Sequence, residues 1–285
     1  MVVTGDMAEI QSWALFAEFV AKEAGETIRT AMKAEKNITL KSSVVDLVTE
    51  TDKAVEAFII DSLKGRYPDH KFIGEESDAA GQKAELTDAP TWIIDPIDGT
   101  TNFVHSFPYV SVSVGLAVQK ELVAGIIYHV MADEMYTAIK GGGAFCNGNA
   151  IKVSQATEMA GSLVVTEVGS GRDPSRMDAF YKNLEAVLGT NAHGIRAMGS
   201  AALNMCMIAR GSGDVCYEYG IHCWDMAAGY VIIREAGGFC CDPTGGSFNM
   251  MARRVIGGAT ESICKQLSGI LTHIELEHDG RASAS

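Results

Sequence analysis

The chain has 285 residues, 47% of them hydrophobic, and a formal net charge of −13. That is enough apolar material for a large core, and the acidic balance repels DNA, RNA and free phosphate at long range, which excludes a nucleic-acid binder. The longest apolar runs, residues 110–118 and 122–130, are broken by Ser, Gly, Tyr or His and fall short of the ~20 residues of a membrane span, so a soluble protein with no membrane partner is expected.

The N-terminus MVVTGDMAEI has no basic stretch or cleavage site, which gives secretion no support. Apolar residues at Ile10, Trp13, Ala14, Ala17, Val20, Ala21, Ala24, Ile28 and Ala31 keep helical spacing and predict an amphipathic first helix. Residues 33–43 form a polar connection carrying Lys36 and Lys41. A strand is predicted over 44–49, and Thr51-Asp52 opens a helix whose inward face is Val55, Phe58, Ile59 and Leu63. Asp52 in that first turn suits the helix dipole. A short strand then ends on Gly74-Glu75-Glu76, and Trp92-Ile93-Ile94 makes a buried strand that stops on Asp95 and Pro96. From 110 the pattern turns to period two through 118, then 122–128 and 134–139, an antiparallel meander. Turn chemistry at residues 141–143 and 147–149 marks a boundary near 150 between two halves, about 1–150 and about 151–285. Beyond it, strands at 162–166, 194–197, 215–217, 239–241 and 255–257 alternate with helices at about 177–187, 201–209, 224–235 and from Glu261. The expected class is mixed α/β, with helices covering the sheets.

The chemistry is concentrated in WIIDPIDGTTNF at residues 92–103. Pro96 lacks an amide hydrogen and Gly99 admits a turn closed to other residues, so Asp95 and Asp98 can be aimed at one point. Two like charges held together call for a cation, and oxygen-only ligands suit a hard divalent ion such as Mg²⁺. A solvated Asp-Gly turn is the plainer alternative. Two other runs share the design: HKFIGEES sets Glu75 and Glu76 at a strand end, and GIHCWD sets Asp225 where a helix starts. His222 and Cys223 beside Asp225 are softer ligands, mismatched to such a set, and read as packing. The seven cysteines show no zinc spacing; reduced thiols and a cytoplasmic location are expected.

These runs resemble the magnesium-dependent inositol monophosphatases. The resemblance rests on GEES at 74–77, WIIDPIDGTTNFVH at 92–105, HGIRAMGSAALNMC at 193–206, and GIHCWDMAAG followed by IIREAGG between 220 and 238, and extends to about Ile274. It implies a layered αβαβα sandwich, one catalytic domain over 1–285, a homodimer, and lithium-sensitive hydrolysis of myo-inositol monophosphates with two to three Mg²⁺ per subunit. Glu75, Asp95 and the carbonyl of Ile97 would hold one metal, and Asp95, Asp98 and Asp225 a second. Glu75 would orient the attacking water with Thr100 as its partner, Asp52 would line the metal site, and the segment with Lys36 and Lys41 would be a mobile loop beside it. Asp98, Gly99, Thr100 and Asp225 would meet the substrate, with Ser170, Gly199, Ser200, Ala201 and Glu218 reading the ring. Ser200 and Ala201 open a helix, so their amides are expected to be free donors, and Glu218 is expected at the end of the strand 215–217. The alternatives are a bisphosphate nucleotidase or fructose bisphosphatase of the same superfamily, and a catalytically silent cation-binding scaffold.

Overall fold

Asp6 and Glu9 begin the first helix by reciprocal capping, each side chain accepting the other's amide at 2.9 and 3.1 Å. A computed structural model describes residues 6–34, 38–40, 47–81 and 85–279; Lys36, Lys41 and residues 44–46 of the first predicted strand lie outside these. In chain order the elements are α1 (Met7–Ala31), β1 (Ile38–Leu40), β2 (Leu47–Thr49), α2 (Glu50–Arg66), β3 (Lys71–Gly74), α3 (Glu75–Ala79), β4 (Thr91–Asp98) and α4 (Thr100–Val104). The meander β5 (Ser111–Val118), β6 (Glu121–His129), β7 (Glu134–Ile139), β8 (Gly143–Cys146) and β9 (Asn149–Ala150) follows. Then come β10 (Leu163–Thr166), α5 (Pro174–Gly189), β11 (Gly194–Arg196), α6 (Ala201–Ala209), β12 (Val215–Tyr219), α7 (Cys223–Glu235), β13 (Phe239–Cys241), β14 (Arg254–Gly258) and α8 (Glu261–Ser268).

Strands β3 to β9 pair in sequence order as one sheet, antiparallel except for β3 with β4. The second sheet runs β11-β10-β12-β14-β13, with parallel pairing on one side and antiparallel on the other. Side-chain alternation along each strand sets the layers. Trp92 and Ile94 of β4 join the buried faces of α1 and α2, whereas Ile93 between them joins α6 and α7. Cys216 of β12 also faces α6 and α7, and its neighbours Val215 and Tyr217 face Val187 of α5 and Ile263 of α8. The result is five layers, αβαβα, and it explains why β5 is buried along its whole length: both faces are covered.

Helix α7 lies close against the first sheet because β6 carries Gly125, where an added Cβ would come within 2.3 Å of the Ala228 carbonyl oxygen. Among the described residues, no helix is long and apolar enough to cross a membrane. All seven cysteines are free thiols, six of them buried.

Phe58 does not belong to the inward face of α2, being 43% exposed, and three further expectations need correction. Strand β4 does not stop on Asp95; it continues to Asp98 with an irregular register between the two, where Pro96 has no amide to leave unpaired. Glu218 sits inside β12, not at its end, because the antiparallel pairing with β14 carries on to Tyr219. Glu75 opens a short helix that apolar periodicity could not show, since its residues are Glu, Ser, Asp and Ala.

Candidate active site

Two segment ends meet at one point. The bulged end of β4 presents Asp95 and Asp98, and the first turn of α7 presents Asp225; one carboxylate oxygen from each lies within 4.8 Å of the others. Asp95 and Asp98 are 2% and 5% exposed, so this acidic group is cut off from the water that would solvate it. Burial, then the charges of Glu75, Asp98 and Asp225, push the Asp95 carboxyl well above the usual carboxylate range. Asp98 is raised to about 7, by burial first and by Asp225 next, and burial raises Asp225 as well. Carboxyl groups so placed are short of positive charge. An all-oxygen, close-set donor group fits a hard divalent cation such as Mg²⁺.

Each ligand is aimed by its backbone and neighbours. Asp95 Oδ1 accepts the Ile97 amide at 3.0 Å, which ties the side chain across the bulge. Asp98 is gripped by the start of α6: the amides of Ala201 and Ala202 donate to it at 3.1 and 2.9 Å, and the hydroxyls of Ser200 and Ser111 donate to Oδ2. The turn after Asp98 needs Gly99 twice over, for its φ of +94° and because a Cβ there would sit 2.9 Å from the Gly199 carbonyl oxygen. Asp225 Oδ2 accepts the His222 amide at 2.6 Å. Glu75 is held through its helix: buried Glu56 accepts the amides of Glu76 and Ser77 at 2.7 and 2.8 Å, and so fixes the turn that starts with Glu75. Glu76 is thereby a supporting residue, 7% exposed.

Asp52 and Thr100 form a second unit beside the acids. Thr100 Oγ1 lies 3.3 Å from Asp52 Oδ1 and 3.2 Å from the Ile97 carbonyl oxygen, so its one hydrogen is shared between two acceptors. Asp52, 1% exposed, is locked by Thr49, whose amide donates to Oδ2 at 2.8 Å and whose hydroxyl donates to the same atom.

On the other side, Glu167 accepts the amides of Met198 and Gly199, each at 2.7 Å, and the Asn204 side-chain amide at 2.9 Å. Asn204 also donates to Glu218 at 3.1 Å. Glu218 is 4% exposed, and burial together with the Glu167 charge raises its carboxyl well above the usual range. Of the two amides expected to be free donors, that of Ala201 is not: Asp98 takes it, since a helix N-terminus buried beside carboxylates satisfies its amides with them, and Glu167 likewise takes the neighbouring Gly199 amide. Ser170 is exposed and lines a small cavity with Glu167, Tyr217, Gly220 and Arg176.

Cys223 is fully buried, and burial raises its thiol well above normal, which leaves it unreactive. The His222 ring is stacked on Trp224 with centroids 4.6 Å apart. Neither is a nucleophile here.

A family model described as the inositol monophosphatase family matches residues 9–272. The chain belongs to the inositol monophosphatase family. It is 51% identical to inositol monophosphatase 1 of Bos taurus over 264 residues, covering 93% of this chain and 95% of the relative. Among solved structures, the extragenic suppressor protein suhB of Bartonella henselae superposes with a TM-score of 0.82 at 31% identity, covering 92% of this chain and 98% of the other. An inositol monophosphate-bound staphylococcal IMPase-II superposes with a TM-score of 0.74 at 27% identity, covering 90% and 92%. Within this family frame, Glu56, Ser111, Glu167 and Asn204 are members of the site that the motifs did not single out. Glu56 and Asn204 were in reach of sequence reasoning, Glu56 being one helical turn after Asp52 and Asn204 lying within the run at 193–206; Ser111 and Glu167 carry no local signal.

Proposed function

We propose that this protein is a Mg²⁺-dependent phosphomonoesterase that hydrolyses myo-inositol monophosphates to inositol and phosphate. The observation that carries the reading is the close-set group of buried Asp95 and Asp98 with half-buried Asp225, too rich in carboxylate to be left without a cation. Those three, with Glu75 and the Ile97 carbonyl, would hold two to three ions. When bound, Mg²⁺ neutralises phosphoryl oxygens and lowers the pKa of a bound water.

The chain's own residues supply the rest. Asp52 and the Ile97 carbonyl share the Thr100 hydroxyl hydrogen, leaving a lone pair on Thr100 Oγ1 to accept a hydrogen from the attacking water. Glu75, whose charge lies beside Asp95, orients that water. The Gly99 and Thr100 amides, at the start of α4, suit a phosphate oxygen. Glu218 and Ser170 meet the ring hydroxyls, and Glu167 keeps the 198–199 turn in place for them. The Glu218 carboxyl offers acceptor oxygens to those hydroxyls, and Asn204 fixes its orientation.

The reading extends to a cytosolic homodimer, supported by the free buried thiols for the compartment and tested for assembly by sedimentation equilibrium. It also extends to inhibition by lithium at the Asp98 and Asp225 position, expected to be uncompetitive; competitive inhibition against substrate would exclude that site. The deciding experiment is phosphate release from inositol 1-phosphate, fructose 1,6-bisphosphate and a 3′,5′-bisphosphate nucleotide, with and without Mg²⁺. Preference for either of the last two would replace the inositol reading with a related one.

A further inference from the structure

Helix α7 carries Asp225 in its first turn, yet its N-cap residue, His222, makes no side-chain cap to the helix amides. Helix N-termini leave amides that need acceptors. The missing acceptor arrives from the far end of the chain. After α8 the backbone is tied down in steps: Asn183 brackets Thr272 with bonds of 2.6 and 3.1 Å, Tyr219 meets His273 at 3.0 Å, and Arg254 donates to the Ile274 carbonyl at 3.2 Å. The Asp279 amide then donates to the Met251 carbonyl at 2.9 Å, and the Asp279 side chain turns onto α7. Its Oδ2 accepts the Cys223 amide at 2.9 Å, and its Oδ1 lies 2.7 Å from His222 Nδ1.

The direction of the His222 bonds follows from Arg253. A guanidinium only donates, and it lies 3.0 Å from His222 Nε2, so Nε2 accepts and Nδ1 carries the hydrogen given to Asp279. Arg253 reaches this place from a left-handed backbone, φ 60°, and also donates to the Gly220 carbonyl at 3.2 Å. The Asp279 side chain is 10% exposed. One carboxylate thus holds the amide two residues before Asp225 and the ring of the residue whose own amide holds the Asp225 carboxylate. Asp279 lies beyond the region matched by the family model, which ends at residue 272.

We infer that Asp279 is a positioning residue of the active site: the tail carboxylate replaces the absent cap on α7 and sets the first turn of that helix so that Asp225 is preorganised for the cation. It touches neither substrate nor reacting atoms. The inference rests on the metal-site reading above. Residues that support a ligating group through hydrogen bonds commonly affect metal affinity about 10- to 100-fold.

The test compares wild type, Asp279→Asn and Asp279→Ala as full chains stripped of metal, titrated with Mg²⁺ alone in a calorimeter. Asp279→Ala should weaken Mg²⁺ binding about 10-fold or more, while kcat at saturating Mg²⁺ stays within about threefold. Asp279→Asn, whose single oxygen can serve only one of the two donors, should fall between. Because the His222 ring rests on Trp224, tryptophan emission of the metal-free Asp279→Ala protein should also differ from wild type. Equal Mg²⁺ affinity in wild type and both variants, even with a lowered melting temperature, would reduce Asp279 to an ordinary helix cap and overturn the inference. Absence of Mg²⁺ binding by the wild type would instead overturn the metal-site reading beneath it.

Discussion

Metal-free protein should lose stability as pH rises through neutrality, and Asp98 gives the size of the effect. Its folded carboxyl titrates at about 7, against about 3.9 in an unfolded chain. The folded state therefore holds a proton that the unfolded state has released. That contribution is fully present below the unfolded value and is lost as pH rises through the folded one. Evaluated for one site, it is about 3 kcal/mol at pH 5 and close to nothing at pH 8. The site is almost wholly buried, so little is lost to solvent screening, although coupling to Asp225 spreads the change over more than one group. Urea unfolding in EDTA at pH 5, 6, 7 and 8 measures the slope, and Asp98→Asn isolates the part due to this residue. The Asn side chain sets a donor against the amides of Ala201 or Ala202, a cost that does not change with pH and drops out of the comparison. Wild type should lose roughly 3 kcal/mol more than Asp98→Asn between pH 5 and 8, and saturating Mg²⁺ should abolish the difference. Parallel curves for the two proteins in EDTA would refute the claim that burial and Asp225 hold this proton.

Asp95→Asn should leave less than a few per cent of activity at saturating Mg²⁺, yet keep the metal-free protein folded with an equal or higher melting temperature at pH 8, because Asn still accepts the Ile97 amide and relieves a crowded acid group; a melting temperature well below wild type would contradict this. Asp52→Asn and Thr100→Val should each lower kcat about 10²- to 10⁴-fold while calorimetric Mg²⁺ affinity stays near wild type, as expected of a proton-handling pair; parallel losses of Mg²⁺ affinity would reassign them to the metal. For Glu218, kcat/KM for inositol 1-phosphate should fall about tenfold or more in Glu218→Ala with little change for glycerol 2-phosphate. Glu218→Gln should be milder, since Gln keeps one acceptor oxygen for the ring; equal losses on both substrates would move Glu218 out of ring recognition.

The support around the acids has a common form. Glu56, Glu167 and Asp279 are carboxylates that grip backbone amides next to a functional segment instead of facing the reaction: Glu56 at the turn of Glu75, Glu167 at residues 198–199, and Asp279 at the turn of Asp225. Backbone amides near a rigid carboxylate have few ways to move, and a ligand displaced by as little as 1 Å loses much of its effect.

What the sequence determined by itself was local. Asp95, Asp98 and Asp225 were legible because Pro96, Gly99 or a helix start limits the backbone beside each; the meander from 110 to 139 was legible because its apolar, β-branched runs are separated by short polar turns. The αβαβα order and the family also followed from long motifs that occur in one order along the chain. The tertiary structure alone decided which amides remained available, since Ala201 looks free until Asp98 is brought against it from 103 residues away in the chain. It also decided the partner of Thr100, which is Asp52 across 48 residues, and the cap on α7, which comes from Asp279 across 56. Hydrogen bonds between distant segments leave no periodic or compositional trace. They depend on where five layers place their edges, and that follows from packing both faces of two sheets at once.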